Sequence, residues 1–370
     1  MKNRFKTWMI YLLLAFILCL PLFVWFWKPS TPLNLVVIDK TVPLDDFREH
    51  LGLFWVLHHT KVVDDEDKKL YEKEVDYYGY HPERSEGDDV LEVEESPDLI
   101  YVADTYGVYE ADFDGNFTGE RSEKIYGGLT FFEWNRILAS KSEHTTLIVE
   151  FNTIQSPTEE NVRSIVERNL SIQWTGWIGR YFPDLDDIEV PIWLKTNYEK
   201  QTNNEWTFKG PGLTFVNEND YVVVLEEEDI TGSVKFYWTE LGKSHYNEKR
   251  ESEYSYWFDI IEPGPEMEAE GMYSLMLTDT GEEILNEHEI PTTFPAILKH
   301  KEESIYYFAG DFADIKQDHW AKWVLPSPIY SLMAILNKDE QFFWEVYIPL
   351  MKVILHEANS QKTSSQSVGA

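Results

Sequence analysis

The stretch Leu35-Val36-Val37-Ile38-Asp39 decides the fold that the sequence predicts. Four aliphatic residues in a row that end in a carboxylate are typical of a strand buried on both faces of a parallel sheet. Two later stretches, at 99–104 and 146–150, have the same form and also end in an acid. Helical patterns follow all three stretches. This alternation predicts an α/β fold with a mostly parallel sheet and helices on both of its faces.

The helix starts are marked by capping residues. Thr130 and Glu133 have the spacing of a reciprocal capping box. Ser156-Pro157-Thr158-Glu159 combines a serine cap with a proline in the first turn. A third helix is expected from Asp45 to about Lys61. These three helices provide the connections that a parallel sheet requires.

The pattern loosens after Ile172, where an aromatic stretch, Trp174 to Phe182, precedes a polar and mostly helical segment. The remaining strand candidates are 221–226, 233–239, 254–261, 294–298 and 304–309, and two helices at about 328–337 and 341–358 complete the prediction.

Residues 8–27 form an uncharged run of twenty residues, long enough to cross a bilayer as one helix. Lys2, Arg4 and Lys6 precede the run, so the N-terminus is expected in the cytoplasm and the main domain outside. The run ends without a small-residue cleavage site, which favours a retained anchor over a signal peptide. We therefore expect a single-pass protein of the cell membrane.

Composition divides the chain into four parts. Residues 1–28 are a cytoplasmic stub and membrane anchor, 29–34 a spacer, 35–358 the extracytoplasmic domain, and 359–370 a disordered tail. Within the domain, residues 64–97 contain fourteen acidic and four basic residues, which predicts an exposed, partly disordered insertion.

Charge and cysteine usage exclude several functions. The net charge of −34 would repel nucleic acid, so no nucleic-acid partner is expected. The only cysteine, Cys19, lies in the predicted membrane span, so thiol catalysis outside the membrane is excluded. No cofactor motif occurs. Residues 112–123 match some positions of a calcium loop but lack its glycine, and a hairpin turn explains them better, so no metal site is predicted.

The candidate site lies where the strands end, because ligands of open parallel sheets bind outside the carboxyl ends of the strands. The residues expected there are Asp39, Asp104, Glu150, Asn152, Trp177, Arg180 and Asp311. Acids at such positions also serve as helix caps, and Trp and Arg also pack domain edges, so each residue has a structural alternative. Together they form the kind of site that binds sugars.

The Gly127-Gly128 turn, Phe294-Pro295-Ala296-Ile297 and the segment 306–311, Tyr-Tyr-Phe-Ala-Gly-Asp, resemble the class I glutamine amidotransferase-like fold, in a branch found beside carbohydrate-active domains. The resemblance covers about 33–315 and implies an amidotransferase- or flavodoxin-like sheet. Active members of that family use a cysteine after the third strand, where this chain has Glu150-Phe151-Asn152-Thr153. The resemblance therefore implies that amidotransferase activity is lost.

Three functions remain open. The first is a non-catalytic domain that binds a carbohydrate or cell-envelope polymer at the strand-end acids. The second is a glycoside hydrolase that uses two of those acids. The third is a structural subunit of an envelope complex.

The topology has a direct test. Protease added to intact cells or spheroplasts that express the chain should digest the domain after Lys28, because the positive charges precede the span. Protection of the domain until the cells are lysed would reverse the predicted orientation.

Overall fold

The computed structural model describes residues 2–91, 93, 96–114, 122–316, 324–326, 328–336 and 338–368. The helices are α1 (Lys2–Trp27), α2 (Arg48–Thr60), α3 (Ala111–Asp114), α4 (Phe131–Ser140), α5 (Glu160–Leu170), α6 (Ile192–Thr202), α7 (Glu240–Tyr246), α8 (Asp279–Glu287), α9 (Pro328–Leu336) and α10 (Ile348–Val368). Short 3₁₀ turns lie at Glu227–Asp229 and Lys338–Glu340, and a π-helical turn at Phe343–Tyr347 leads into α10.

The strands are β1 (Thr31–Pro32), β2 (Leu35–Asp39), β3 (Val62–Val63), β4 (Tyr78–His81), β5 (Glu86–Gly87), β6 (Leu99–Asp104), β7 (Val108–Tyr109), β8 (Lys124–Tyr126), β9 (Thr146–Glu150), β10 (Ile172–Phe182), β11 (Gly212–Asn217), β12 (Val222–Leu225), β13 (Ile230–Trp238), β14 (Ser252–Tyr254), β15 (Phe258–Pro263), β16 (Met267–Leu277), β17 (Thr293–His300) and β18 (Ile305–Phe308).

One sheet of ten strands organises the domain, in the order β14-β13-β16-β17-β18-β9-β6-β2-β4-β5. The neighbours from β18 to β4 pair in parallel. From β14 to β18, and between β4 and β5, the pairing is antiparallel. A second sheet, β12-β11-β10-β15, is entirely antiparallel.

The prediction of a mostly parallel sheet with helices on both faces is wrong. The large sheet is mixed, the second sheet is antiparallel, and the helices do not clearly cover both faces. The physical reason is visible in β16, where buried and more exposed residues alternate over much of the strand. Such alternation belongs to antiparallel strands with one wetter face, whereas β6 is buried along its whole length, as a central parallel strand should be.

The second sheet packs against the antiparallel half of the large sheet through aromatic rings. The ring of Phe258 on β15 lies 6.2 Å from Phe215 and 5.3 Å from Phe294, measured between centroids. Gly179 makes this packing possible, because a Cβ at that position would lie 2.7 Å from the Phe258 ring. The aromatic stretch 174–182 is thus strand β10, which crosses this interface.

The acidic segment 64–97 differs from the predicted exposed insertion. It contributes β4, which pairs in parallel with β2, and it buries Tyr71 and Tyr77. Gly79 permits the close pairing, because a Cβ there would lie 1.6 Å from the carbonyl oxygen of Asp39. The C-terminal segment also differs from expectation: α10 continues to Val368, where the composition predicts a disordered tail.

No single helix among the described residues is long and apolar enough to cross a membrane. Two halves of α1, Trp8–Ile17 and Cys19–Trp27, meet at a bend of 44° and pass as a pair by length and composition. The end of α1 is fixed to the domain, since the Lys61 ammonium donates to the carbonyls of Phe26 (3.0 Å) and Lys28 (2.7 Å). A cation at these carbonyls satisfies acceptors that the end of a helix leaves open.

His245 joins three elements of the domain. Its Nδ1 lies 2.7 Å from Glu270 on β16, and its Nε2 lies 2.7 Å from Glu357 on α10. Hydrogen bonds to Glu270 and to Glu357 raise the pKa of His245 to about 9. Because a charged His245 bonds both acids, it holds α7 and α10 onto the sheet.

His245→Gln should therefore lower the melting temperature in a pH-dependent way. The folded pKa of about 9 exceeds the unfolded value of about 6.5, so the stabilisation is complete below about pH 6.5 and is lost as pH rises through 9. We expect the difference in melting temperature from wild type to be largest near pH 6 and to shrink by pH 9.5. His144→Gln is the control, since His144 is well exposed and pairs with its neighbour Glu143. An equal loss of stability for the His245 variant at all pH values would contradict the charged link.

Candidate functional site

Three acids lie side by side where β2, β6 and β9 end, because these strands are parallel neighbours. Asp39 is fully buried, lies 2.6 Å from His50 Nδ1, and accepts the Thr41 amide at 2.9 Å. Both of its oxygens are therefore bound by the protein. Its geometry is that of a structural acid that fixes the loop after β2 and the start of α2.

The Asp104 carboxylate is also bound by protein donors. Its carboxylate accepts the Thr41 hydroxyl at 2.5 Å, the Tyr106 amide at 2.6 Å and the Asn152 side-chain amide at 2.9 Å. Asn152 adopts a left-handed conformation with φ of 66°, which asparagine tolerates better than most residues. Burial, followed by the nearby charge of Asp39, raises the pKa of Asp104 to about 7.

Glu150 connects the sheet to neighbouring elements. It accepts a hydrogen bond from the Tyr101 hydroxyl, which lies 2.9 Å from the Tyr347 hydroxyl of the π-helical turn before α10. Its other oxygen accepts the Ala313 amide at 3.4 Å. Burial raises the pKa of this carboxyl well above its ordinary value. Its contacts indicate a positioning residue beneath the site.

Asp311 follows β18 and differs from the other strand-end acids. Among the described residues, no donor bonds its carboxylate, although its backbone amide donates to Trp257. Burial raises its pKa, and the charges of Asp104, Asp314 and Glu150 raise it further, while Arg180 opposes the shift. Asp311 therefore lies near Asp104, Glu150, Asp314 and Arg180.

The first turn of α2 and the loop after β18 contribute further residues that the sequence pattern did not indicate. Glu49 lies in the first turn of α2 and, within the described part of the chain, accepts no hydrogen bond through its side chain. Burial raises its pKa, and the charges of Asp314, Asp39 and Asp104 add to that shift. Arg48 binds Asp314 with two nitrogens, at 3.1 and 2.7 Å. We call Asp39, Glu49, Asp104, Glu150, Asp311 and Asp314 the strand-end acidic cluster.

Donors reach the cluster from the second sheet. Arg180 on β10 donates to Glu189 at 2.6 Å, while its buried Nε has no partner among the described residues. Tyr256 is 8% exposed, and its buried hydroxyl also lacks a partner in the described part of the chain. Both residues lie near Asp314, because the charge of Arg180 lowers the pKa of Asp314 and the charge of Asp314 raises the pKa of Tyr256. Unpartnered donors beside carboxyl groups can bind a ligand that carries hydroxyl groups.

Trp177 does not join this group. Its ring neighbours are Tyr221 and His288, at 6.5 and 6.3 Å between centroids. Trp177 and Arg180 are three positions apart on β10, and side chains at odd spacing point to opposite faces of a strand. Trp177 remains a predicted ligand residue, but no contact places it beside the acids.

An aromatic pair flanks the cluster. The rings of Tyr106 and Tyr109 lie 4.9 Å apart at an angle of 37°, and Tyr106 is 40% exposed. The Tyr106 amide donates to Asp104, so the pair is attached to the acidic cluster through the backbone. No group of three or more metal-ligating side chains forms among the described residues. The segment 115–121, which contains most of the calcium-like loop, lies outside them.

Comparison with protein-family models, curated proteins and solved structures finds no match to this chain. The resemblance to the glutamine amidotransferase-like fold therefore stays a prediction. The site must be interpreted from its own chemistry.

Asp39 is a structural acid whose two oxygens are bound by the protein, whereas no described donor bonds the Asp311 carboxylate. This difference between the two acids is testable. Asp311→Asn should raise the melting temperature at pH 7.5 and raise it less at pH 5. A carboxyl whose folded pKa is raised loses stability progressively as pH rises from its ordinary pKa of about 3.9 to the raised folded value, and asparagine removes this cost.

The matched control for this test is Asp39→Asn. It should destabilise the protein by about 1–3 kcal/mol at both pH values, because it disturbs the buried bond to His50. If Asp311→Asn were as destabilising as Asp39→Asn, Asp311 would be a structural residue with partners of its own.

Proposed function

We propose that the chain is a membrane-anchored protein whose extracytoplasmic domain binds a carbohydrate or cell-envelope polymer at the strand-end acidic cluster. One observation carries the proposal: Asp311 has no hydrogen-bond donor among the described residues, although it lies among acids that raise its pKa. A carboxyl group that no protein donor bonds leaves its oxygens available for hydrogen bonds with the hydroxyl groups of a ligand. The ligand class that fits is a neutral, hydroxyl-rich polymer.

Two further features support sugars. The side chain of Tyr106 is 40% exposed, and its ring lies 4.9 Å from that of Tyr109 at an angle of 37°, so an aromatic pair reaches the surface beside Asp104. The unpartnered donors of Arg180 and Tyr256 lie on the same side of the domain as Asp311. Such a mixture of one aromatic face and a few directed polar groups is typical of small-molecule and sugar sites.

The position of α1 supports the membrane topology. Helix α1 ends at Trp27, and seven residues separate it from Leu35, where β2 begins. The anchor therefore enters at the edge where the parallel strands begin, and the acidic cluster lies at the edge where they end. A domain held in this way presents its site away from the membrane, towards the cell envelope.

Glycoside hydrolysis is the second candidate, and the raised pKa of Asp311 favours it. A general acid must hold its proton near the working pH, and the raised pKa of Asp311 shifts this carboxyl in that direction. Asp39, Asp104 and Glu150 already accept hydrogen bonds from the protein. Glu49 is the other acid of the cluster whose side chain accepts no hydrogen bond among the described residues.

The test measures binding and cleavage with the full chain in nanodiscs. Wild type, Asp311→Asn and the surface control Glu287→Gln are incubated with purified envelope polysaccharides and a glycan array. Wild type and the control should bind the same polymer, and Asp311→Asn should bind about tenfold more weakly, because the amide replaces one acceptor oxygen with a donor and one hydrogen bond is lost.

Release of reducing ends distinguishes the two candidates. Binding without release supports the binding domain, whereas release by wild type that is absent from Asp311→Asn supports the hydrolase. Equal binding by wild type and Asp311→Asn would contradict a site at the acidic cluster.

A further inference from the structure

Helix α9 exposes an apolar face. Leu332, Ile335 and Leu336 are 53%, 72% and 71% exposed, at the spacing of one helix side. On the opposite side, Tyr330 and Ala334 are buried, with 2% exposure each. The helix is therefore held to the domain by one face, while three large aliphatic side chains on the other face point away from the protein.

The same end of α2 holds both α9 and the membrane anchor. The Tyr330 hydroxyl lies 2.5 Å from His59 Nε2, and its ring packs at 5.8 Å from Trp55. The adjacent residue, His58, accepts a hydrogen bond from the Trp25 indole of α1 at 2.9 Å. Two consecutive residues thus connect α9 and α1, so α9 lies beside the point where the chain leaves the membrane.

Three lysines and a tryptophan lie around the end of α1, although the chain as a whole is strongly acidic. Burial lowers the pKa of Lys28, and the nearby charges of Lys352 and Lys61 lower it further, so the three lysines lie close together. Trp27, at the end of α1, is 79% exposed. Lysine and tryptophan at the end of a membrane helix are the residues that lie at the headgroup level.

We propose that α9 is an interfacial helix whose Leu332, Ile335 and Leu336 insert into the bilayer that holds α1. The inference rests on the membrane anchoring proposed above. An amphipathic helix lies in the interface plane with its apolar face among the acyl chains. Because α1 tethers the domain, α9 meets the membrane at a high effective concentration, and a small apolar face is sufficient. With two attachments, the domain has a fixed tilt, which keeps the acidic cluster pointing away from the bilayer.

The experiment uses the full chain in liposomes of phosphatidylethanolamine and phosphatidylglycerol. In a Cys19→Ser background, Ile335→Cys is labelled with an environment-sensitive nitrobenzoxadiazole dye, and quenching by doxyl lipids is measured. The matched control is Ile188→Cys, since Ile188 is 97% exposed and lies next to Glu189, which bonds Arg180 near the acidic cluster. Wild-type Cys19, labelled in the same way, is the reference for a dye inside the bilayer.

We expect a blue-shifted emission and strong doxyl quenching at position 335, close to the Cys19 reference, and neither effect at position 188. Carbonate extraction separates the two proposals. If the protein stays in the membrane but position 335 is as water-exposed as position 188, the α9 inference fails and the anchor stands. If carbonate removes the protein, the anchor fails and the inference fails with it. If the emission is blue-shifted without doxyl quenching, and the shift grows with the protein-to-lipid ratio, a second copy of the chain covers α9. That result also overturns the inference.

Discussion

The rest of the structure depends on one constraint. The carboxyl groups where the central parallel strands end are removed from water, and the fold must supply them with hydrogen-bond donors. Parallel pairing of β2, β6 and β9 places Asp39, Asp104 and Glu150 at one edge, whatever the cost of crowding like charges. The protein offsets that cost by surrounding these three acids with donors: His50, Thr41, Asn152 and Tyr101. Burying a charge without such partners would be unfavourable by several kcal/mol. Asp311 and Glu49 receive no comparable hydrogen bonds among the described residues, and this contrast distinguishes the site from its support.

The parallel strands of the large sheet have two opposite edges. At the edge where the parallel strands begin, Lys61 caps the last carbonyls of α1. At the edge where they end, the loop after β18 and the first turn of α2 lie beside the acidic cluster. The ten-stranded sheet lies between these edges. If α1 is a membrane anchor, as we propose, attachment at one edge fixes the direction in which the other edge points.

The sequence predicted the parallel half of the sheet well and the rest poorly, for a physical reason. β2, β6 and β9 are apolar on both faces, so their pattern is unambiguous. β16 carries Glu268, Glu270 and Gly271 between its apolar residues, and its partners lie on both sides in antiparallel register, which local periodicity does not reveal. The aromatic stretch that became β10 owes its conformation to Phe215 and Phe258, residues distant in the chain.

The same limit applies to the candidate site. Asp311 could be named from the sequence because an acid after a buried strand has a predictable position. Glu49 was not, because an acid in the first turn of a helix usually stabilises the helix dipole and has no further role. Asp314 lies in an irregular loop, where no spacing marks it. Trp177 was expected at the site because it is close to Arg180 in sequence, but the two residues occupy opposite faces of β10.

The most direct test of the account is a ¹³C NMR titration of aspartate carboxyls in the full chain in nanodiscs, with Asp311→Asn used to assign the resonance of Asp311. An ordinary aspartate titrates near a pKa of about 3.9. The account predicts that the resonance missing from the variant titrates well above that value, because burial and the charges of Asp104, Asp314 and Glu150 disfavour the carboxylate. A resonance that titrates at or below the ordinary value would show that Asp311 is solvated or paired, and it would contradict a desolvated acid without a protein donor at the candidate site.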